Sequence, residues 1–543
     1  MFNPGGDRVE GYTNFLWVIL LAASARLGLP PEQVANPLSV AATIALMVVI
    51  FRFGRRRLEG SPLCLTAPLL LAVHRSFAAW STSGLETRLF ELLAVAGVLG
   101  LVESLERAPA NRSVWPVALL ALAGLTRPDG ALIAATALAG TAAQAYRYYG
   151  FGPNRRWLLG SLAVLALPLA AHFAFRIMYY GVPLPNTYYA KVDGETWWTM
   201  GALYVATFAL EYGLILWLPL LVAGIGWARR RSADLWVITA AALLPHLVYV
   251  ISIGGDHFEW RPLDLQAPFL ALAAQDGCAR LIRAGRRVAP ALALLGVSVL
   301  ASTLLPALSH LDFPRHYISG FPSHGRSDGS RDLIRSDRLL ARLPLVGTAI
   351  RAFNNRLVTM SRHFVGLRIE EHRLFADRVI DEGKILRGWI DAGYLPADAR
   401  IALSCVGAIP YYSNLYTVDR LGLTDAFVAH LPFDRSRIRA MAHSKTAPDD
   451  YLVEQGVELS APAHFLTEQD EVMTTWKLAR EIGEQSIYVS PRPAGRRLFL
   501  TWLPQGLAHA RARFPGLDLK PIIEFDQPPE PAGFRTEEPP PKE

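Results

Sequence analysis

The residues best suited to chemistry in this sequence are ionisable side chains at the ends of long apolar runs. They are Glu86 in Ser81-Thr82-Ser83-Gly84-Leu85-Glu86, Arg127 and Asp129 in Leu125-Thr126-Arg127-Pro128-Asp129-Gly130, and Asp256 and Arg261 in Gly254-Gly255-Asp256-His257-Phe258-Glu259-Trp260-Arg261. A charge near hydrocarbon costs about 2.5 to 3.5 kcal/mol on insertion scales, so such groups usually face a cavity or a partner. Arg127 and Asp129 flank a proline, which fits a turn closed by a local ion pair as well as it fits a ligand site. Two consecutive glycines before Asp256 let backbone approach a bound molecule, with Asp256, His257, Glu259 and Arg261 converging beside it. The spacing assigns no metal ligand. Asp256 and His257 suit a divalent cation by type alone, so a metal stays open as a cofactor and none is required. His172 and His246 lie inside apolar runs and read as satisfied interior histidines.

A further group follows in Gly181-Val182-Pro183-Leu184-Pro185-Asn186-Thr187-Tyr188-Tyr189-Ala190-Lys191. The prolines predict an extended course that presents Asn186, Tyr188 and Lys191 above the membrane. Lys191 then has two readings, a phosphate ligand or a contact to lipid headgroups. Trp80, Trp197, Trp198 and Trp260 likewise read either as an interfacial aromatic belt or as sugar contacts.

These groups must be held by membrane helices. The chain has 543 residues of which 19% are charged, and its mean hydropathy is +0.24, more apolar than a soluble protein of this size needs to be. Apolar runs near 37–53, 62–76, 88–104, 113–126, 130–146, 157–175, 211–228, 235–253, 264–283 and 288–306 predict about ten spans. Basic clusters such as Arg55, Arg56 and Arg57 all fall in alternate loops, which the positive-inside bias puts in the cytoplasm. Read as topology signals, they argue against nucleic acid as a partner of this chain of net charge +7. The opposite loops, and everything beyond about His310, then lie on the outer face.

Thr13 to Leu29 is apolar but broken by Arg26, and reads as an amphipathic helix along that face within an outer segment 1–36. No secretory signal order precedes it, since Met1 to Tyr12 is polar and Gly-rich. The transmembrane domain is placed at 37–308, an Arg-, Ser-, Gly- and Pro-rich linker at 309–355, an extracytoplasmic α/β domain at 356–526 and a disordered Pro-rich acidic tail at 527–543. Within the α/β domain a helical pattern runs from Asn354 to Ala392, and a strand from Arg400 to Val406 ends at Gly407. Cys64, Cys278 and Cys405 show no metal-ligand spacing and no disulfide framework.

Taken in order, the block Phe2-Asn3-Pro4-Gly5-Gly6-Asp7-Arg8-Val9-Glu10-Gly11-Tyr12-Thr13-Asn14-Phe15-Leu16-Trp17, the motifs above, and Gly407-Ala408-Ile409-Pro410-Tyr411-Tyr412-Ser413 resemble the terminal β-(1→2) arabinofuranosyltransferase family and its relatives, of the GT-C class. The similarity runs nearly end to end and keeps motif order. It implies an inverting transferase that moves a sugar from a polyprenyl-phosphate donor to a cell-envelope glycan at the outer face of a bacterial plasma membrane. In that scheme Arg127, Arg261 and Lys191 hold the donor phosphate, and Asp256, Glu86 and Glu10 orient sugar hydroxyls. The resemblance also implies a catalytic base in an Asp-Asp stretch that, in the family, precedes the Phe2-Asn3-Pro4-Gly5 block. The expected acidic base would thus precede Met1, and no residue of this sequence is assigned to the role. That leaves either a start at an internal Met or a shortened chain without catalysis.

Two other functions compete. A transporter or flippase also has many spans and scattered intramembrane charges, but no inverted repeat is evident here and the charges gather on one side. A related branch of the same superfamily is associated with placing polar flagellar motors, so a non-catalytic role in envelope or flagellar assembly is the third reading.

Overall fold

In the computed structural model, the residues described are 3, 6–225, 230–256, 258–283, 288–310, 344–361, 369–391, 397–433, 444–457, 459–461, 464–466, 472–478, 486–490, 497–501 and 522–526. Met1, the tail expected at 527–543 and most of the expected linker lie outside them. The first helix is α1 (Phe15–Arg26), in the stretch expected as an amphipathic helix, and its residues are apolar on nearly every side up to Arg26. Next comes α2 (Pro31–Arg57), with Pro31 at the first helical position, where its missing N–H costs nothing.

Two short helices follow, α3 (Thr66–Ala72) and α4 (Arg75–Ser81). The stretch Pro62–Ala72 bends by 73° into Arg75–Ser81, so the run expected at 62–76 is a broken helix. His74 sits at the break and accepts from Phe77 N through Nδ1 at 3.3 Å. Then come α5 (Thr87–Leu105), α6 (Trp115–Thr126), α7 (Pro128–Tyr149) and α8 (Phe151–Tyr180).

The segment expected to be extended forms α9 (Asn186–Lys191) instead. Pro183 and Pro185 restrict only themselves and the residues before them, and Pro185 keeps the extended ψ of 148° as the cap of this helix. From Asn186 onward nothing forbids helix. Another bent pair joins α10 (Trp198–Glu211) to a helical stretch from Leu214 that ends as α11 (Leu218–Ile225). The bend is 66°, where a single run had been expected to begin at 211. The membrane region closes with α12 (Arg230–Ser252), α13 (Gln266–Arg283) and α14 (Val288–His310).

Among the described residues, four helices are long and apolar enough to cross a membrane, or six if each bent pair counts as one span. One apolar core runs through them, with Leu46, Ile50, Leu101, Leu120, Ile133, Leu220 and Leu235 fully buried. Small residues set the close crossing of α11 and α13. A Cβ on Gly277 of α13 would stand 2.0 Å from the Leu220 carbonyl, and one on Gly224 of α11 equally close to that of Ala273. These helices pack backbone to backbone, as lipid-embedded helices do when dispersion replaces the hydrophobic drive.

Helix ends sort by chemistry. Arg57 pairs with Asp276 at 2.7 Å and Arg56 with Glu103 at 2.6 Å where arginine-rich ends meet. The motif-bearing ends of α5, α6, α7 and α12 meet elsewhere, at the group of charges described below.

Beyond the bundle lie α15 (Pro344–Ser361), which starts inside the expected linker and packs on α10, and α16 (Ile369–Asp391). The single helical pattern expected from Asn354 to Ala392 is thus two helices, with 362–368 outside the described residues. A mixed sheet follows. Strand β1 (Arg400–Leu403) is shorter than expected, and α17 (Ala408–Ser413) crosses from it to the parallel β2 (Tyr416–Asp419). After α18 (Ala426–Ala429) and α19 (Asp449–Glu454), β3 (Leu459–Ala461) adds parallel to β1 on its other side.

The remaining strands β4 (His464–Leu466), β5 (Val472–Leu478), β6 (Ser486–Ser490), β7 (Arg497–Thr501) and β8 (Ile522–Asp526) pair antiparallel. The order is β2-β1-β3-β5-β6-β7-β8, with β4 on β5. Asn3 reaches β2 from the amino-terminal segment. Its side-chain amide donates to Thr417 O at 2.7 Å and accepts from Thr417 N at 2.9 Å.

Candidate functional site

Five of the nine residues singled out from sequence form one charged group. Arg127, between α6 and α7, grips Asp129 with two parallel hydrogen bonds, from Nε to Oδ1 at 3.0 Å and from Nη2 to Oδ2 at 3.1 Å. Its Nη1 lies 3.5 Å from Glu86 Oε1, and Arg261 Nη1 lies 4.0 Å from the same oxygen. Arg261 in turn donates through Nε to Asp256 Oδ2 at 3.2 Å, with its Nη2 3.1 Å from the same oxygen. The local ion pair weighed for the Arg127-Pro128-Asp129 turn is present, and it belongs to a larger group of charges.

Lys191, at the end of α9, adds a sixth charge in electrostatic reach of Asp256, Arg261, Arg127 and Glu86. Burial pushes its ammonium below the usual lysine range. Arg261 and Arg127 push the same way, while Asp256 and Glu86 oppose them. Lys191, Arg127 and Arg261 thus share one group with the carboxylates of Glu86, Asp129 and Asp256.

The backbone that carries Asp256 is under tight steric control. Gly254 and Gly255 have φ of +84° and +82°, and a Cβ on Gly255 would lie 2.5 Å from the Tyr204 ring. Only glycine meets both demands. Trp260 follows at φ +49°, held by a hydrogen bond from Nε1 to Glu211 Oε2 at 3.0 Å. Trp80 is also buried and donates to Glu259 O at 2.9 Å. Burial removes Trp80 and Trp260 from both the aromatic-belt and the sugar-contact readings. Trp198 is exposed.

Several partners of the group gave no signal in the sequence reading. Asn14 donates to Glu86 Oε2 at 3.3 Å. His246 is fully buried, with Nε2 3.1 Å from Asp129 Oδ2 and Nδ1 3.2 Å from Gln266 Nε2. A tautomer with its proton on Nε2 satisfies both contacts. The histidine is satisfied, as expected of an interior one, but what satisfies it is the carboxylate that orients Arg127.

A second buried network was missed altogether. Arg88, with no exposed surface, pairs with Glu91 and with Asp264 Oδ2 at 2.6 Å and donates to Phe77 O at 2.7 Å. Ser76 Oγ donates to Asp264 Oδ1 at 2.5 Å. Arg88 and Glu91 sit three residues apart inside an apolar run, a spacing that would have revealed the pair.

The structure sets three singled-out residues in other roles. Glu10 accepts from Arg176 Nε at 2.5 Å and Nη2 at 3.1 Å, with His172 Nε2 at 4.0 Å, so it belongs to a separate pair on α8. Asn186 does not project freely. Its side-chain amide reaches the carbonyls of Gly422, Leu423 and Asp425 at 2.7 to 3.2 Å and fastens α9 to the carboxy-terminal region. Tyr188 packs edge-on against Tyr189.

The catalytic base, expected from the resemblance to precede Met1, falls outside the described residues, and so does Met1 itself. The carboxylates that the structure does bring to the charged group, Glu86, Asp129 and Asp256, are each engaged with an arginine. None of the three is assigned as the base. Among the described residues no three or more His, Cys, Asp or Glu converge as metal ligands, and His257 lies outside the described residues.

Comparisons with known proteins bear on parts of the chain. A family profile described as "Domain of unknown function (DUF8728)" matches residues 376–500. The terminal beta-(1->2)-arabinofuranosyltransferase of Mycobacterium tuberculosis is 32% identical over 324 residues, covering 51% of this chain and 48% of that protein. The protein of the same name in Corynebacterium glutamicum is 36% identical over 129 residues, covering 20% of this chain and 18% of that one. The chain thus spans about half the length of the mycobacterial relative and a smaller share of the corynebacterial one. No solved structure matches it. Both relatives carry the name of the family that the sequence motifs resemble.

Proposed function

We propose that this protein is a membrane glycosyltransferase of the GT-C type that moves a sugar from a polyprenyl-phosphate donor to a cell-envelope glycan, with inversion at the anomeric carbon. The observation that carries the reading is the meeting of Arg127, Lys191 and Arg261, from three separate segments, with Glu86 and Asp256. The two relatives named as arabinofuranosyltransferases support a glycosyltransferase role and make arabinofuranose the first sugar to try.

In the proposed reaction an acceptor hydroxyl attacks the anomeric carbon and gives up its proton to a base, while the bond to the phosphate breaks. Charge develops on the departing phosphate, and fixed cations stabilise it more than they stabilise the neutral sugar. Arg127 and Arg261 suit this task because each is oriented by a carboxylate through two of its nitrogens, leaving Nη1 at 3.5 and 4.0 Å from Glu86, too far for a strong hydrogen bond. Those edges keep donor capacity for a phosphate oxygen, and Lys191 adds a third charge. Glu86 and Asp256 are placed to orient sugar hydroxyls, and the base is not assigned among them.

The finer topology belongs to the same proposal: about ten spans in a bacterial plasma membrane, with the site and the sheet-bearing region on the outer face. The arginine clusters at alternate loops and the separation of helix ends support it. The test uses membranes from cells expressing the chain, given labelled polyprenyl-phosphate sugar and envelope glycan. Transfer that falls at least about a hundredfold in Arg261→Ala is expected for loss of a charge-stabilising donor. Equal product from both proteins would remove Arg261 from the chemistry and the assignment with it.

A further inference from the structure

Helix α16 touches the loop that carries Asp256 and Arg261 at two points. Its first amide, on Ile369, donates to Glu259 Oε2 at 2.8 Å, an arrangement favoured because a helix start presents unpaired N–H groups to a carboxylate. Less than one turn further on, His372 stacks on Phe258 with centroids 4.4 Å apart and planes 19° from parallel. The Phe258 ring also lies under the Arg261 guanidinium, 4.4 Å from its centroid. The bundle holds the same two residues by their backbone, through Tyr204 Oη to Phe258 O at 3.2 Å and Trp80 Nε1 to Glu259 O at 2.9 Å.

A planar guanidinium needs two restraints to fix its direction. The Asp256 carboxylate, gripped by Nε and Nη2, supplies the one along its edge. An aromatic face beneath it supplies the other, by cation–π attraction. That face is only as steady as the Phe258 ring, which His372 covers.

We propose that α16 is a positioning element for Arg261: through Phe258, His372 sets the plane in which the guanidinium meets the leaving phosphate. The proposal rests on the reading of Arg261 as a phosphate-binding group. It makes donor binding depend on the docking of the carboxy-terminal region.

The test takes the full chain in lipid nanodiscs and reads two quantities. In His372→Ala, hydrogen exchange of the amides in 255–263 accelerates about tenfold, and kcat/KM for polyprenyl-phosphate sugar falls about tenfold. His372→Phe, which keeps the stack, restores both. Unchanged exchange in His372→Ala overturns the clamp, and faster exchange with unchanged kcat/KM, or no recovery of kcat/KM in His372→Phe, overturns the positioning role. Faster exchange in a protein whose unmodified form transfers no sugar overturns the glycosyltransferase reading and leaves the clamp standing. Should His372→Ala fail to fold, Phe258→Leu removes the aromatic face at similar volume and carries the same expectations.

Discussion

Lys445 and Asp193 join the carboxy-terminal region to the segment after α9, with the ammonium 3.0 Å from the carboxylate. The same Nζ donates to Tyr189 O at 2.9 Å and Ala429 O at 2.6 Å, and the Lys445 side chain has no exposed surface. Replacing it with Met removes the cation and leaves both carbonyls without this donor, at a cost of about 2 to 4 kcal/mol. Limited proteolysis of the purified protein should show faster cleavage around residues 420–457. A cleavage rate equal to that of the unmodified protein would mean that Lys445 does not fasten the two parts.

Arg88 is the most exacting charge in the bundle, because two carboxylates depend on it where no water reaches. Arg88→Met should cost about 3 to 5 kcal/mol, the usual penalty for stranding buried partners. The readout is the thermal midpoint and the monodisperse yield in detergent. Arg56→Met is the control, since that pair is largely exposed on the arginine side and is worth at most about 1 kcal/mol. Equal losses for the two variants would contradict the burial argument.

Gly255→Ala should damage the site more than the fold. The substitution forces a positive φ on an L-residue and drives a Cβ to 2.5 Å from the Tyr204 ring, which is itself packed in a core cluster. The loop must shift, at about 1 to 3 kcal/mol of strain, and Asp256 moves with it. Sugar transfer is expected to fall about tenfold or more with a thermal midpoint lowered by only a few degrees. Retained transfer would show that the placement of Asp256 is not critical.

Asp419 gives the carboxy-terminal region a pH dependence of defined sign. Burial raises its carboxyl to about 6, although Leu421 N, Thr424 N and Thr424 Oγ1 donate to it. Its folded-state pKa lies above the unfolded value near 3.8, so its contribution to stability is fully present below about pH 3.8 and is lost as pH rises through about 6. The full effect is at most about 3 kcal/mol, at about 1.4 kcal/mol per unit. Asp419→Asn should remove this slope, read as the difference between the two proteins in thermal midpoint across about pH 4 to 7. Parallel curves would place the titration elsewhere.

The sequence revealed most where a local rule acts alone. The apolar runs expected near 37–53 and 130–146 lie within α2 and α7. Arg127, Asp129, Asp256 and Arg261 stood out because charge at the end of an apolar run needs a reason. What stayed hidden depends on partners distant in the chain. The burial of Trp80 follows from a carbonyl 179 residues away, and Asn186 spends its amide on carbonyls more than 230 residues ahead. Lys191 declared itself as a cation, yet only the folded chain shows the two arginines that share its surroundings. Glu10 misled because its motif neighbours gave no hint that Arg176, on a lipid-exposed helix, would take it.

The contact between Asn3 and Thr417 has a consequence for how copies of this protein treat one another. An outermost strand with idle amides and carbonyls recruits strands from other molecules, a route to aggregates. By answering both backbone groups of Thr417 with one side-chain amide, Asn3 closes that position of the edge to strand addition. Asn3→Leu should therefore leave the bundle intact while turning a monodisperse preparation into one that self-associates with rising concentration.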